Sequence, residues 1–309
     1  MSEVLVVKSD VERESEWKGA FQGFDIEVRD WASMGATEEI DYALVWKPEA
    51  GALTALPNLK LIFSVGAGVD HLQGKNIVPP GIPVIRMVED VLTAGMTEYV
   101  IYSVLRFHRF MPQYENDQRN RVWNELLQIP AWERSVGILG LGVLGGSAAR
   151  ALVTLGFDVA GWSRTEKHVE GVTSYHTNQQ LPEFLARTEI LVCLLPLTAQ
   201  TEDIISAGNL ALLPQGAFVI NAGRGGHCNE ADLLAAVDSG HIAGAALDVF
   251  KHEPLERNSP LWQHPGIYIT PHVASMTLPA SSAKHVIDNI TRFRRQQPLT
   301  HVADLERGY

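Results

Sequence analysis

Gly140-Leu141-Gly142-Val143-Leu144-Gly145 fits G-x-G-x-x-G, and its surroundings decide the fold. Ser135-Val136-Gly137-Ile138-Leu139 precedes it, a short apolar run of the kind that forms a buried strand. Ala148-Ala149-Arg150-Ala151-Leu152 follows it, a helix former. Strand, glycine loop and helix in that order make a dinucleotide-binding turn. Gly140 permits the tight turn, Gly142 lets a pyrophosphate approach the backbone, and Gly145 lets the helix pack closely on the strand. The helix N-terminus adds free N–H groups and the positive end of a dipole. The same glycines also suit a bare turn in some other α/β protein. The strand and helix on either side favour the cofactor reading.

Outward from the loop, short apolar runs alternate with helical patterns. Before it, 4–7, 42–46, 61–65 and 84–87 read as strands, and a long helix spans 93–116, capped by Thr93 or Thr97 with Glu98 in its first turn. After it, strands are expected at 158–161, 190–195, 217–221, 243–247 and 267–270, with helices at 230–239 and 275–297. The polar stretch 118–134, with Trp123 and Trp132, reads as a linker or arm. The expected fold class is α/β, with two doubly wound parallel-sheet domains. One is a substrate domain of residues 1–97 with 275–309. The other is a Rossmann dinucleotide-binding domain of residues 98–274. A chain of 309 residues suits two domains, at roughly 100–200 residues each.

Composition narrows the classes of function. A formal net charge of −11 argues against nucleic acid or an anionic membrane as the main partner, while leaving room for an acidic small molecule in a local basic pocket. No run approaches about 18 apolar residues, so no membrane span is expected. Two cysteines, Cys193 and Cys228, outside any CxxC pair, and a first segment without a leader pattern point to the cytoplasm. Both cysteines read as packing residues, and no metal-ligand spacing is present.

Chemistry-bearing residues stand after the strands. Ser163-Arg164-Thr165, with Lys167 nearby, occupy the position where an NAD-binding domain usually carries an acid. A guanidinium and hydroxyls there suit a ribose 2′-phosphate, which favours NADPH and leaves NADH possible. An ordinary solvated turn has the same composition. Further on come Asn221-Ala222-Gly223-Arg224-Gly225-Gly226, then Leu247 to Leu255 with Asp248 and Glu253, then Thr270-Pro271-His272-Val273-Ala274-Ser275. Singly, each could be structural. Together, at strand ends where open α/β sheets bind ligands, Arg224, Glu253 and His272 make a catalytic set.

These motifs, GLGVLG, NAGRGG, LDVFKHEPL and TPHVAS, resemble the D-isomer-specific 2-hydroxyacid dehydrogenase family across nearly the whole chain. DYALVWKP at 41–48, GWSRT at 161–165, PLWQHP at 260–265 and the terminal Arg307-Gly308-Tyr309 resemble its glyoxylate/hydroxypyruvate reductase A group. The resemblance implies a flavodoxin-like substrate domain and a reductase of short 2-keto acids. It implies that Arg224 binds the substrate carboxylate and carbonyl oxygen as a planar fork. His272 would be the general acid, a role suited to a side chain whose ordinary pKa is about 6.5. Glu253 would orient that imidazole and favour its charged form. Ala67, Gly68 and Val69 would hold the carboxylate on backbone N–H groups, and Trp46 would limit substrate size. The cofactor would touch Gly140, Gly142, Val143, Leu144, Ser163, Arg164, Thr165, Leu195, Pro196, Thr201, Ala222, Gly223, Asp248 and Ala274. His227-Cys228 stands where many members carry a small apolar residue, and His252 is expected to be exposed and idle. A homodimer follows by analogy, with Trp123, Trp132 and the preceding helix as its surface.

Two other readings share these motifs. One is a dehydrogenase of another 2-hydroxy acid, such as lactate or glycerate. The other is a nucleotide-sensing regulator of the same fold without turnover, which would bind cofactor and leave glyoxylate unreduced.

Overall fold

The computed structural model describes residues 3–9 and 13–308. Tyr309, part of the terminal motif, and the first two residues lie outside that description. The chain divides into two compact units, 1–92 with 276–309 and 93–275. The boundaries expected from sequence were 97/98 and 274/275. The structure divides instead at 92/93, in the opening turn of α2 (Asp90–His108), because Met96, Val100, Val104 and Phe107 of that helix pack in the core of the second unit.

The first unit holds β1 (Val4–Lys8), α1 (Glu14–Ala20), β2 (Glu27–Asp30), β3 (Ile40–Val45), β4 (Leu61–Ser64) and β5 (Val84–Ile85). Its sheet order is β2-β1-β3-β4-β5, with every pair parallel. This is the flavodoxin-like doubly wound order. The central strands are buried runs of Val, Leu and Ile, as a sheet covered on both faces requires. Its last helix (Pro279–Arg294) is α8 in chain order. The tail beyond it returns to the sheet edge, where Ala303 N donates to Val84 O at 2.7 Å.

The second unit holds most of α2, then α3 (Met111–Asn120), β6 (Ser135–Leu139), α4 (Val143–Thr154), β7 (Asp158–Ser163), β8 (Val172–His176), α5 (Leu181–Ala186), β9 (Ile190–Cys193), α6 (Ala207–Leu210), β10 (Ala217–Asn221), α7 (Glu230–Asp238), β11 (Ile242–Leu247) and β12 (Ile267–Ile269). The order is β12-β11-β10-β9-β6-β7-β8, all parallel. Counted from β6 this is 3-2-1-4-5-6 with one strand added, the Rossmann order, which reverses between β6 and β9. Successive residues feed opposite cores. Ile190 and Val192 join Ile138 and Ala149, while Leu191 and Cys193 join Trp162 and Leu233. Cys193 and Cys228 are both buried, and burial pushes the Cys193 thiol up to about 12, so both behave as packing residues.

Three expectations need correction. The single helix at 93–116 is two helices, broken where Phe110 takes φ +58°. Its cap is neither Thr93 nor Thr97. The Glu89 carboxylate accepts from the N–H groups of Val91 and Leu92, at 2.9 and 3.0 Å, and the Thr97 hydroxyl donates to Thr93 O inside the helix. The arm does not begin at 118, since α3 runs to Asn120 and an irregular segment follows. β2 and β8 carried no apolar signal because both are edge strands, only partly buried.

Candidate active site

All strands of the second sheet run parallel, so their carboxyl ends share one edge of the sheet, and the motif residues follow those ends. After β6, Gly140 takes φ +103°, open to glycine alone without strain. A Cβ at Gly145 would collide with the Gly140 carbonyl oxygen, whereas a Cβ at Gly142 would meet open space. The loop is tight on its inner side and open at Gly142, the N-cap of α4. Val143 is exposed and Leu144 partly buried at that helix start.

After β7 the three expected residues separate. Ser163 is a buried strand residue whose hydroxyl donates to Thr165 O at 2.8 Å. Arg164 and Thr165 are exposed. After β9, Leu195 is buried, and the Thr201 hydroxyl donates to Pro196 O at 2.7 Å while accepting from Thr198 N at 2.9 Å. Thr201 therefore ties the 196–201 turn together.

After β10, Gly223 N donates to Asn221 Oδ1, and Asn221 Nδ2 donates to Arg224 O. Arg224 N donates to His227 Nδ1 at 3.0 Å. Asn221 and His227 are fully buried and brace the arginine from both sides. Sequence reading passed over this role. The signal available was a polar residue closing a buried strand and an imidazole three residues after the arginine. Ala222 is buried beside them.

After β11 and β12 the geometry is tightest. Glu253 Oε1 accepts from Phe250 N at 3.1 Å, and Glu253 Oε2 meets His272 Nδ1 at 2.9 Å. A carboxylate only accepts, so Nδ1 carries a hydrogen toward it, and Nε2 is the ring atom left for other chemistry. His272 has φ +54°, which costs a non-glycine residue roughly 1–2 kcal/mol. Asp248, 1% exposed, accepts from Val273 N and Ala274 N, each at 2.9 Å. Both Asp248 and Ala274 were read from sequence as cofactor contacts, and here one holds the other. His252 is exposed, as expected.

In the first unit, Trp46 follows β3 and Ala67, Gly68 and Val69 follow β4. The Trp46 ring lies against His71, centroids 4.3 Å apart, and a Cβ at Gly66 would stand 3.1 Å from it. Ser64 Oγ, fully buried, donates to Gly68 O and accepts from Gly66 N, which shapes the loop. Among the described residues, no acceptor appears for the N–H groups of Ala67, Gly68 and Val69. No group of three or more metal-binding side chains occurs among the described residues. No helix among them is long and apolar enough to cross a membrane.

Comparison with known proteins agrees with this architecture. Residues 101–274 match the family model described as D-isomer specific 2-hydroxyacid dehydrogenase, NAD binding domain. Glyoxylate/hydroxypyruvate reductase A of Yersinia enterocolitica is 40% identical over 287 residues, and that of Salmonella newport 42%, each alignment covering 91% of both chains. A D-isomer specific 2-hydroxyacid dehydrogenase from Xanthobacter autotrophicus Py2, solved with NADPH and MES, superposes with a TM-score of 0.94 at 42% identity over both full chains. The NADPH-dependent glyoxylate/hydroxypyruvate reductase of Sinorhizobium meliloti, solved with NADP and sulfate, gives 0.92 at 41% identity, covering 99% of this chain and all of that one.

Proposed function

We propose that this chain, which belongs to the D-isomer specific 2-hydroxyacid dehydrogenase family, uses NADPH to reduce glyoxylate, hydroxypyruvate or a similarly short 2-keto acid to the 2-hydroxy acid. The observation that carries this reading is the His272–Glu253 pair, set at a strand end of the sheet that also bears the open glycine cradle. Relatives solved with NADPH or NADP support the cofactor.

The residues present fit that cofactor. The open side of Gly142 and the first N–H groups of α4, from Val143 and Leu144, suit the pyrophosphate. Arg164 and Thr165 suit the 2′-phosphate, at a strand that closes on Ser163. Leu195, Pro196, Ala222, Gly223 and Ala274 line the remainder, with Thr201 shaping the wall. When bound, NADPH supplies the hydride. The chain supplies the rest. Arg224 grips the keto acid with a planar fork, which lowers the energy of charge growing on the carbonyl oxygen. His272 gives that oxygen its Nε2 proton, while Glu253 holds the opposite ring nitrogen and stabilises the imidazolium. Within the first unit taken by itself, the N–H groups of Ala67, Gly68 and Val69 suit a carboxylate, and the Trp46 ring lies against His71.

The test is a keto-acid panel with NADPH and with NADH, following loss of the reduced nicotinamide absorbance. Glyoxylate and hydroxypyruvate should be reduced with NADPH. Phenyl-substituted keto acids should have lower kcat/KM, since even one methylene counts for about 1–3 kcal/mol in a fitted pocket. Tight NADPH binding with no turnover on any short keto acid overturns the reading. The protein would act in the cytoplasm and as a homodimer. Trp123, 91% exposed, and Leu127, 90% exposed, support an apolar docking surface on the second unit, and light scattering with Trp123→Asp tests it.

A further inference from the structure

We infer that Tyr99, Thr270 and Asp248 form a hydrogen-bonded relay, anchored on the buried Asp248, that locks His272 into its left-handed backbone conformation, making them positioning residues for turnover that need not touch the substrate. The inference rests on the reading of His272 as proton donor.

The strain at His272 sets the problem. A non-glycine residue persists at φ +54° only where its surroundings over-determine it. Glu253 holds the ring but does not fix the backbone. Asp248 does, from both sides of the histidine. Before it, Thr270 Oγ1 donates to Asp248 Oδ1 at 2.6 Å. After it, Val273 N donates to Oδ1 and Ala274 N to Oδ2. At the histidine itself, His272 N donates to the Asp248 main-chain oxygen at 2.8 Å. One buried residue thus ties down positions 270, 272, 273 and 274.

The direction of the relay follows from counting hydrogens. The Thr270 hydroxyl has one, and Asp248 takes it. The Tyr99 hydroxyl, 2.8 Å from Thr270 Oγ1, must therefore be the donor there. Burial pushes the Tyr99 phenol up to about 12, so it stays a neutral O–H donor across ordinary pH. The order is Tyr99 to Thr270 to Asp248. Three donors converge on one side chain, which only a carboxylate accepts without turning a donor of its own toward them. Resemblance alone would give Asp248 a contact with the cofactor's amide. Here both of its oxygens are engaged in holding the 270–274 segment.

The test uses Thr270→Val, Thr270→Ser and Tyr99→Phe in the full-length protein, with His272→Ala as background. Thr270→Val should lower kcat by about tenfold or more, given that a supporting shell loose by about 1 Å spoils a site. KM for glyoxylate and the Kd for NADPH, read by fluorescence titration, should move by no more than about twofold. The solvent deuterium isotope effect on kcat should rise as proton transfer becomes limiting. Thr270→Ser should restore most of the rate, and Tyr99→Phe should fall between. In the His272→Ala background Thr270→Val should lower kcat no further, because its effect passes through the histidine. Amide exchange across 270–275 should quicken in Thr270→Val.

Wild-type kcat in Thr270→Val overturns the relay, as does an equal further loss of rate without His272, or a fall in NADPH affinity that parallels the rate. If the wild type reduces no keto acid, the proposed function fails, and exchange still decides the relay. Unchanged protection at 270–275 then overturns it, and faster exchange supports it.

Discussion

His272 and Arg224 reach one edge of the sheet by opposite means. His272 sits in strained backbone held by Asp248, and Arg224 in relaxed extended backbone, φ −141° and ψ 151°, braced by His227 and Asn221. His272→Ala should therefore cost about 10²–10⁴ in kcat and leave the Kd for NADPH unchanged, because a general acid is lost and no cofactor contact. Near-normal turnover in this variant would remove His272 from the chemistry. Arg224→Lys should raise KM and lower kcat together, since a point charge does not reproduce the fork. A lysine variant with wild-type kinetics excludes bidentate binding. On the proposed reading, cofactor choice turns on Arg164 and Thr165. The Ser163 hydroxyl donates to Thr165 O, and Arg164 carries the exposed charge that suits a 2′-phosphate. Arg164→Ala should weaken NADPH about tenfold relative to NADH, the worth of one charged hydrogen bond at an exposed site. Added salt should narrow the wild-type difference. Equal loss for both cofactors would reduce that loop to a solvated turn.

The strand–loop–helix element from β6 to α4 separates folding from binding within a few residues. Gly145→Ala should destabilise the second unit by about 2–3 kcal/mol, because its Cβ meets a carbonyl that cannot move without breaking the loop. Gly142→Ala should fold normally, since its Cβ enters open space, and should weaken NADPH binding where a pyrophosphate must approach. Thermal melting and cofactor titration of both variants check this. If Gly142→Ala melts early and binds normally, the cradle assignment is wrong. The same scale explains the elements misjudged from sequence. Helical periodicity continues through Arg109 and Phe110, and only the left-handed φ at Phe110 shows that α2 and α3 are separate. Edge strands β2 and β8 have few covered faces, so they lack the apolar run by which a buried strand announces itself.

At the scale of the whole molecule, part of the pH dependence of stability comes from a histidine pair in the first unit. His285 Nε2 lies 3.1 Å from Arg86 O, and its ring stands 5.5 Å from that of His301. Burial holds the His285 pKa down, with His301 opposing protonation further, while Asp288, Glu89 and the Arg86 carbonyl act the other way. Burial and the Arg86 charge hold His301 down. Both histidines therefore bind protons more readily in the unfolded chain. Their contribution to stability is complete above the unfolded value of about 6.5 and is lost as pH falls toward the folded values. The urea midpoint should drop between neutral and mildly acidic pH, and His285→Gln should flatten that drop. A midpoint equally steep in wild type and variant would place the sensitivity elsewhere.

The sequence by itself determined whatever depends on local pattern. Apolar runs at strand spacing, glycines at fixed offsets and a turn opening a helix are each written in consecutive residues, so the α/β class, the parallel sheets, the glycine cradle and the stations of Arg224, Glu253 and His272 were legible. Tertiary structure decided what depends on distant residues meeting. Tyr99, Thr270 and Asp248 are far apart in the chain and become one hydrogen-bonded relay only when α2, β11 and β12 pack in the second unit. His227 became a brace for Arg224, and Ser163 withdrew into its own strand end, because leaving a buried polar group without a partner is costly, and sequence does not say which partner will be within reach.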